Sequence, residues 1–374
     1  MRIYQCIHRY PAHIPAFEAR WGIGEDSDFA TIHAALLRDG FASVYRLVPP
    51  AARAGDEVFF TVWDYARLQH RWAAEHGLAT RDLEEIRLAQ IAAFRPDVVY
   101  DFSSFLTPDF ARRVRAVSQA RVIAWNGYLK SAEAPAPEGY HGFVSLHRPF
   151  VESWRRRGLP ALELQPGIDP GWLAETPLPL DRRPGGLVFY GQVGNAFHNR
   201  ADLLGALARS RRGQAVELAI HADCKPKYYG LGRRLQRVGI TLPILARWPD
   251  ARLAGALRPP RFGIGLYETI RGATAVLNTF TDLSVGFHSN MRIFETIGNG
   301  TPLVTPRGTY PEGLEEGRDY LAYETVEDVW RHAAWLRAEP EAGTALARAA
   351  RDRMARTFGK DRQYAAFADF AAGL

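Results

Sequence analysis

Cysteine is nearly absent from this chain. Cys6 and Cys224 are the only two, far apart, so neither a disulfide framework nor a cysteine metal site can be read from spacing. No stretch approaches the roughly 18 uninterrupted apolar residues of a membrane-spanning helix. The N-terminal MRIYQCIHRYPAHIPAF lacks the apolar core of a signal peptide. A soluble cytoplasmic protein is the expectation. The formal charge of +6 is spread over the chain, and no Lys/Arg block resembles a nucleic-acid arm, so no nucleic-acid partner is expected. The densest basic runs, WRRRG at 154–158, Arg211–Arg212 and Arg233–Arg234, read either as solvated helix faces or as a peripheral membrane or acceptor contact. A DxD pair flanked by strand residues is missing too; Asp26-Ser27-Asp28 reads better as a helix start.

What is present is enough for two cores. The chain has 374 residues, 47% apolar and 24% charged, ordinary values for a folded protein of two domains. Aromatics make up 12%, with nine Trp, which suggests large packed interfaces or a sugar-lined cleft. Short apolar runs such as RIYQCIH (2–8), EVFFTVW (57–63), DVVYDF (97–102), RVIAWN (121–126) and GFVSLH (142–147) alternate with helical segments such as 28–41, 83–96 and 150–158. That alternation predicts a parallel sheet covered on both faces. Residues 166–186 hold five prolines and four glycines and read as a linker. A second alternating set follows, from LVFYGQ (187–192) to the strand DYLAYE (319–324), and the chain closes in helices over 326–340 and 345–374. Two such halves imply a cleft, with ligands at the carboxyl ends of the strands.

One segment stands out: FHSNMRIFETIGNGTPLVT, 287–305. Ser289 and Asn290 are good N-cap types before a helix whose first N–H groups favour an anion. Arg292 can pair with a phosphate, and Glu295, about one turn on, can accept two vicinal ribose hydroxyls. Spacing alone favours the plainer reading, an internal Arg292–Glu295 helix pair at i,i+3. Further back, FYGQVG (189–194) offers Gly191 and Gly194 for close backbone approach to a diphosphate. Lys225 in HADCKPKYYG (221–230) could neutralise phosphate, or lie in a solvated basic loop.

With Tyr267, Ala273 and Asn278 ahead of SNMRIFETIGNGTPLVT, the chain resembles the GT-B glycosyltransferases, in particular the C-terminal domain shared by group 1 transferases and CgeB-like proteins. The pattern runs over about 40 residues (Tyr267 to Thr305), and RPDVVYDF, VIAWNG, LQPGIDP and GKDRQYAAF extend it loosely across the chain. The resemblance implies an α/β GT-B fold of two Rossmann-like domains facing a central cleft. It gives an acceptor domain over 1–168, a nucleotide-sugar domain over 185–345, and a C-terminal helix over 346–374 that crosses back to the first. It implies that Glu295 holds the nucleotide ribose, with Tyr267, His288, Ser289, Asn290 and Arg292 around the donor. It implies no essential metal or cofactor beyond a sugar donor of UDP or dTDP. Phe287 departs from the pattern, standing where many group 1 transferases carry a second acidic residue, as the CgeB-like branch tolerates.

An acceptor, whether glycan, protein or lipid-linked, would need a base from the first half if the reaction inverts. Asp101, at the end of DVVYD, and His8, after the first strand, are the candidates. A GT-B nucleotide-sugar epimerase and a noncatalytic sugar-nucleotide-binding protein are the alternative functions.

Overall fold

Runs rich in Val, Ile and aromatics become strands here, and the amphipathic stretches between them become the helices that cover both sheet faces. The computed structural model describes residues 1–374 except 103–107, 128–134, 169–170, 172–175, 194–197, 225–226, 229, 241, 248–252, 254 and 281–285. The first half runs β1 (Arg2–Ile7), α1 (His13–Trp21), α2 (Phe29–Asp39), α3 (Val48–Arg53), β2 (Glu57–Val62), α4 (Ala66–Glu75), α5 (Leu83–Phe94), β3 (Val98–Phe102), α6 (Pro108–Val117), β4 (Arg121–Trp125), β5 (Gly142–Ser145), α7 (Arg148–Arg156) and β6 (Ala161–Glu163). The second half runs β7 (Leu187–Val193), α8 (His198–Ser210), β8 (Leu218–Cys224), β9 (Lys227–Tyr228), α9 (Gly230–Arg237), β10 (Ala246–Arg247), β11 (Leu257–Arg258), α10 (Gly263–Gly272), β12 (Ala275–Leu277), α11 (Met291–Gly298), β13 (Leu303–Pro306), β14 (Leu321–Tyr323), α12 (Val326–Ala338), α13 (Pro340–Thr357) and α14 (Lys360–Ala372).

Two six-stranded sheets result, in the orders β2-β1-β3-β4-β5-β6 and β11-β8-β7-β12-β13-β14. All neighbouring pairs in both are parallel. Strands β3 and β5 are buried along their whole length, as a doubly covered parallel sheet requires. The strand order of the second sheet reverses between β7 and β12, which makes a crevice at the carboxyl ends of those two strands. Asp28 caps α2, its carboxylate accepting the Thr31 N–H at 2.7 Å. The helices α1, α3 and α4 and the β9–β10 ribbon are additions to the expected elements; α4 buries Leu68, Trp72 and Ala73 along one face.

The closing run 345–374 is not one helix. It breaks at Phe358–Gly359 between α13 and α14, where Ile168 bridges Gly359. Past the break, α14 lies on the first sheet, with the Phe367 ring 4.6 Å from that of Tyr100. Gln363 donates to the carbonyls of Val44 and Gln165. Two described points of the Pro/Gly stretch are likewise tied down: Gly167 N–H donates to Val44 O at 2.8 Å, and Leu180 is buried.

The two halves also meet directly. The Tyr267 hydroxyl on α10 donates to Gly40 O at 3.1 Å and shares a hydrogen bond with Ser43 Oγ. Arg20 pairs with Glu268 at 2.6 Å. Gly263 opens α10 at φ +53°, where a Cβ would fall 2.2 Å from Asp39 Oδ2; only glycine lets the end of α2 come this close.

Candidate active site between the two sheets

A cavity of about 340 Å³ lies between the halves. Tyr10, Tyr45, Trp125 and His147 line it from the first half, and Tyr190, Arg200, Asn290, Arg292 and Glu295 from the second. Its floor is the crevice beyond β7 and β12.

Arg292 closes that floor. It is the second residue of α11, whose N-cap Asn290 accepts the Ile293 N–H at 3.3 Å and donates its own amide to Asn278 Oδ1 at 2.9 Å. The Arg292 guanidinium, 7% exposed, donates to Tyr190 O on β7 and to Asn278 Oδ1 and Thr279 O just after β12. One side chain therefore joins both lips of the crevice, its plane lying over the Phe189 ring at 4.7 Å. Arg200 on α8 reaches the same carbonyl of Thr279 and that of Gln192. Burial lowers the Arg292 pKa, but a guanidinium stays charged, so two buried cations face one crevice.

Glu295 lies one turn further along α11 and is 2% exposed. It does not turn to Arg292: its Oε2 accepts the Tyr190 hydroxyl at 2.9 Å, while Arg292 is satisfied by carbonyls. The internal helix pair that spacing allowed is thus replaced by two longer-range links, both to Tyr190. Burial pushes the Glu295 carboxyl up to about 7, against the opposing pull of Tyr190 and Arg292. Tyr10, Tyr45 and Tyr267 feel the Glu295 charge, and burial raises all three phenols above their usual range.

The other expected residues divide. Gly191 lines the cavity at φ +141°, and a Cβ there would sit 2.7 Å from Arg292 Nη2. The immediate reason for this glycine is the arginine head. Ser289 lines the cavity too, with its hydroxyl donated to Gln165 Oε1 at 2.7 Å. The Tyr267 ring lines the cavity while its hydroxyl serves the inter-domain contact. His288 is not in the cavity wall; its ring stacks on Phe280 at 4.2 Å, and its N–H bonds Thr309 O. Gly194 and Lys225 lie outside the described residues.

Asp101 does not face the cleft. It is fully buried, its Oδ1 accepting from Arg87 and its Oδ2 from Tyr140, each at 2.9 Å. Strand parity explains the difference. Neighbouring Phe102 stacks at 3.7 Å on Trp125, which lines the cavity, so Asp101 must point to the opposite, helix-covered face. His8 stands behind Tyr10, ring centroids 5.3 Å apart, and it is Tyr10 that lines the cavity. Burial lowers its pKa.

The first-half group that the sequence reading passed over is His147, just beyond β5. It lines the cavity, burial pulls its pKa down to about 4, and a backbone hydrogen bond with Gly127 opposes that pull. The strand-end rule that nominated Asp101 also applies to GFVSLH, whose last residue it is. Arg200 was passed over as well; its position at the start of the helix after FYGQVG was the available signal. Among the described residues no three His, Cys, Asp or Glu side chains gather as metal ligands, and no helix is long and apolar enough to cross a membrane.

Residues 200–369 match the family model described as glycosyl transferase-like. No curated protein matches the chain. Among solved structures, HepE of Anabaena, crystallised with UDP and glucose, is similar at TM-score 0.56 and 11% identity, over 100% of each chain. AviGT4, a glycosyltransferase involved in avilamycin A biosynthesis, is similar at TM-score 0.52 and 13% identity, over 99% of this chain and 97% of its own. Sucrose-phosphate synthase of Thermosynechococcus elongatus is similar at TM-score 0.54 and 11% identity, over 100% and 99%. The fold is GT-B.

Proposed function

We propose that this chain, a GT-B protein whose residues 200–369 form a glycosyl transferase-like domain, transfers a glycosyl group from a nucleoside diphosphate sugar to an acceptor. One observation carries the reading. Glu295 is a buried carboxyl in the cavity wall with Tyr190 as its hydrogen-bond donor, at the switch point where α/β sheets take nucleotides. A carboxylate has lone pairs beyond the one Tyr190 uses, and these suit the two hydroxyls of a ribose.

In the reaction the bond from the anomeric carbon to the diphosphate breaks, a bond to the acceptor oxygen or nitrogen forms, and the acceptor proton goes to a base. The leaving diphosphate gathers negative charge. The N-terminus of α11 and the fixed charges of Arg200 and Arg292 stabilise it without reorganising. His147, neutral at pH 7 given its lowered pKa, is the first-half group that lines the cavity and can orient the acceptor or take its proton. Uracil is the favoured base, with thymine next; HepE has been crystallised with UDP-glucose. Phe287 in place of a second acidic residue fits the CgeB-like branch and leaves the stereochemical course open.

The test is calorimetry with UDP, dTDP and GDP, followed by release of UDP or dTDP from the cognate sugar donor. Binding of UDP or dTDP with slow donor hydrolysis supports the proposal. Binding without turnover, with any acceptor class, makes the protein a noncatalytic receptor. No binding of any of the three sinks the nucleotide site.

A further inference from the structure

Eight large hydrophobic side chains stand exposed among the described residues, and five of them fall between positions 231 and 244. Leu231 is 62% exposed, Val238 71%, Ile240 49%, Leu242 43% and Ile244 90%. On α9, Leu231 and Leu235, with Val238 just past its end, repeat at i, i+4 and i+7, the spacing of one helical stripe. Such a stripe normally faces a core; here Leu235 is half-buried and both ends are open to solvent. The segment is an excursion from the second sheet. It leaves after β8 and is closed at its base by the antiparallel β9–β10 ribbon, Lys227 opposite Arg247 and Tyr228 opposite Ala246.

Charge identifies the occupant. Between Asp223 and Asp250 the sequence holds six Lys and Arg and no Asp or Glu, and Arg234, on the helix between Leu231 and Val238, is exposed. Exposed aliphatic side chains in a stretch whose sequence carries cations and no acid match the surface of an anionic bilayer. A protein partner of neutral or basic surface would meet the apolar residues but leave the one-signed charge unexplained. We infer that residues 230–244 dock the protein peripherally on anionic phospholipid, independently of which sugar it handles. The excursion springs from the carboxyl end of β8, whose His221 and Asp223 line the cavity, so docking brings that edge of the cleft to the membrane surface.

The experiment is co-sedimentation of the full chain with vesicles of phosphatidylcholine alone and of equimolar phosphatidylcholine and phosphatidylglycerol. Wild type should partition onto the anionic vesicles and release at high salt. Val238→Asp with Ile244→Asp should bind about tenfold more weakly or worse, with an unchanged melting temperature because both side chains are exposed. Arg234→Glu should weaken binding to the anionic vesicles. Absent wild-type binding, or equal binding by the double variant, overturns the inference. So does concentration-dependent dimerisation that the same double variant abolishes while vesicles bind nothing, since a second copy would then own the patch.

Discussion

Tyr190 donates its hydroxyl to Glu295 at 2.9 Å while its carbonyl receives Arg292. One residue of β7 thus orients both charged groups of α11, the acid by its side chain and the base by its backbone. The two charges are held apart in function: Arg292 is committed to the architecture of the crevice, and Glu295 keeps lone pairs toward the cavity.

Glu295→Gln keeps the shape and removes the charge. Hydrogen bonds to a charged acceptor contribute about 1.5–3 kcal/mol, so UDP affinity should fall about ten- to a hundredfold. The fold should stay intact, since the neutral amide spares the desolvation of a buried carboxylate. Calorimetry beside a melting curve checks both, and unchanged affinity in an intact variant would refute the ribose role.

The raised pKa of Glu295 gives a pH signature. Its folded value of about 7 lies above the ordinary carboxyl value of 4.5. The folded state therefore prefers the proton, and the stability this confers is full below the ordinary value and lost as pH rises through 7. Ligand-free wild type should lose stability relative to Glu295→Gln over that window, by a total of about 3 kcal/mol. UDP affinity should rise over the same window, because the ionised form accepts the ribose hydroxyls, and then level off. Flat wild-type profiles against the Gln variant would contradict the assignment.

Arg292→Lys should unfold the crevice before it weakens any phosphate contact. An ammonium cannot reach Tyr190 O, Asn278 Oδ1 and Thr279 O together, and buried carbonyls left unmatched cost about 1–3 kcal/mol each. Urea denaturation should show a loss of about 3 kcal/mol. Gly191→Ala should act on the same contact, since its Cβ would strike Arg292 Nη2 at a φ that side chains avoid. Wild-type stability in both would show the crevice to be less constrained than its hydrogen bonds indicate.

Asp101 and His147 should separate cleanly. Asp101→Asn breaks a buried ion pair with Arg87, which costs about 3–5 kcal/mol, and whatever folds should retain donor binding and turnover per folded molecule. His147→Gln should leave melting and UDP affinity near wild type and lower transfer about a hundredfold or more if the ring takes the acceptor proton. The reverse pattern would return Asp101 to the site.

The alternation of strands and helices was legible because burial on both faces forces apolar runs of strand length, and the paired sheets followed. Asp28 and Asn290 were legible as caps because their chemistry is local. The α11 segment was legible as a site, but the use of Arg292 was not. Its partners Tyr190 and Thr279 lie 102 and 13 residues away, and no local spacing encodes which carbonyls a guanidinium will meet. Asp101 was misplaced because a position near a strand's end does not say which face its side chain takes: Phe102 turns toward cavity-lining Trp125, and Asp101 beside it turns to the other face. His147 needed only the strand-end rule applied evenly.

The return of α14 to the first sheet bears on how the polypeptide is made. A Cβ on Gly142 of β5 would lie 2.8 Å from Phe370 and 2.9 Å from Leu374, so the closing helix fills a recess that the first sheet leaves open. During translation β1 to β6 emerge long before that helix exists. A nascent chain holding only the first half carries an uncovered apolar face, the kind of surface on which chaperones act and aggregates begin. The lid for the first sheet is made only after the whole of the second sheet has been translated.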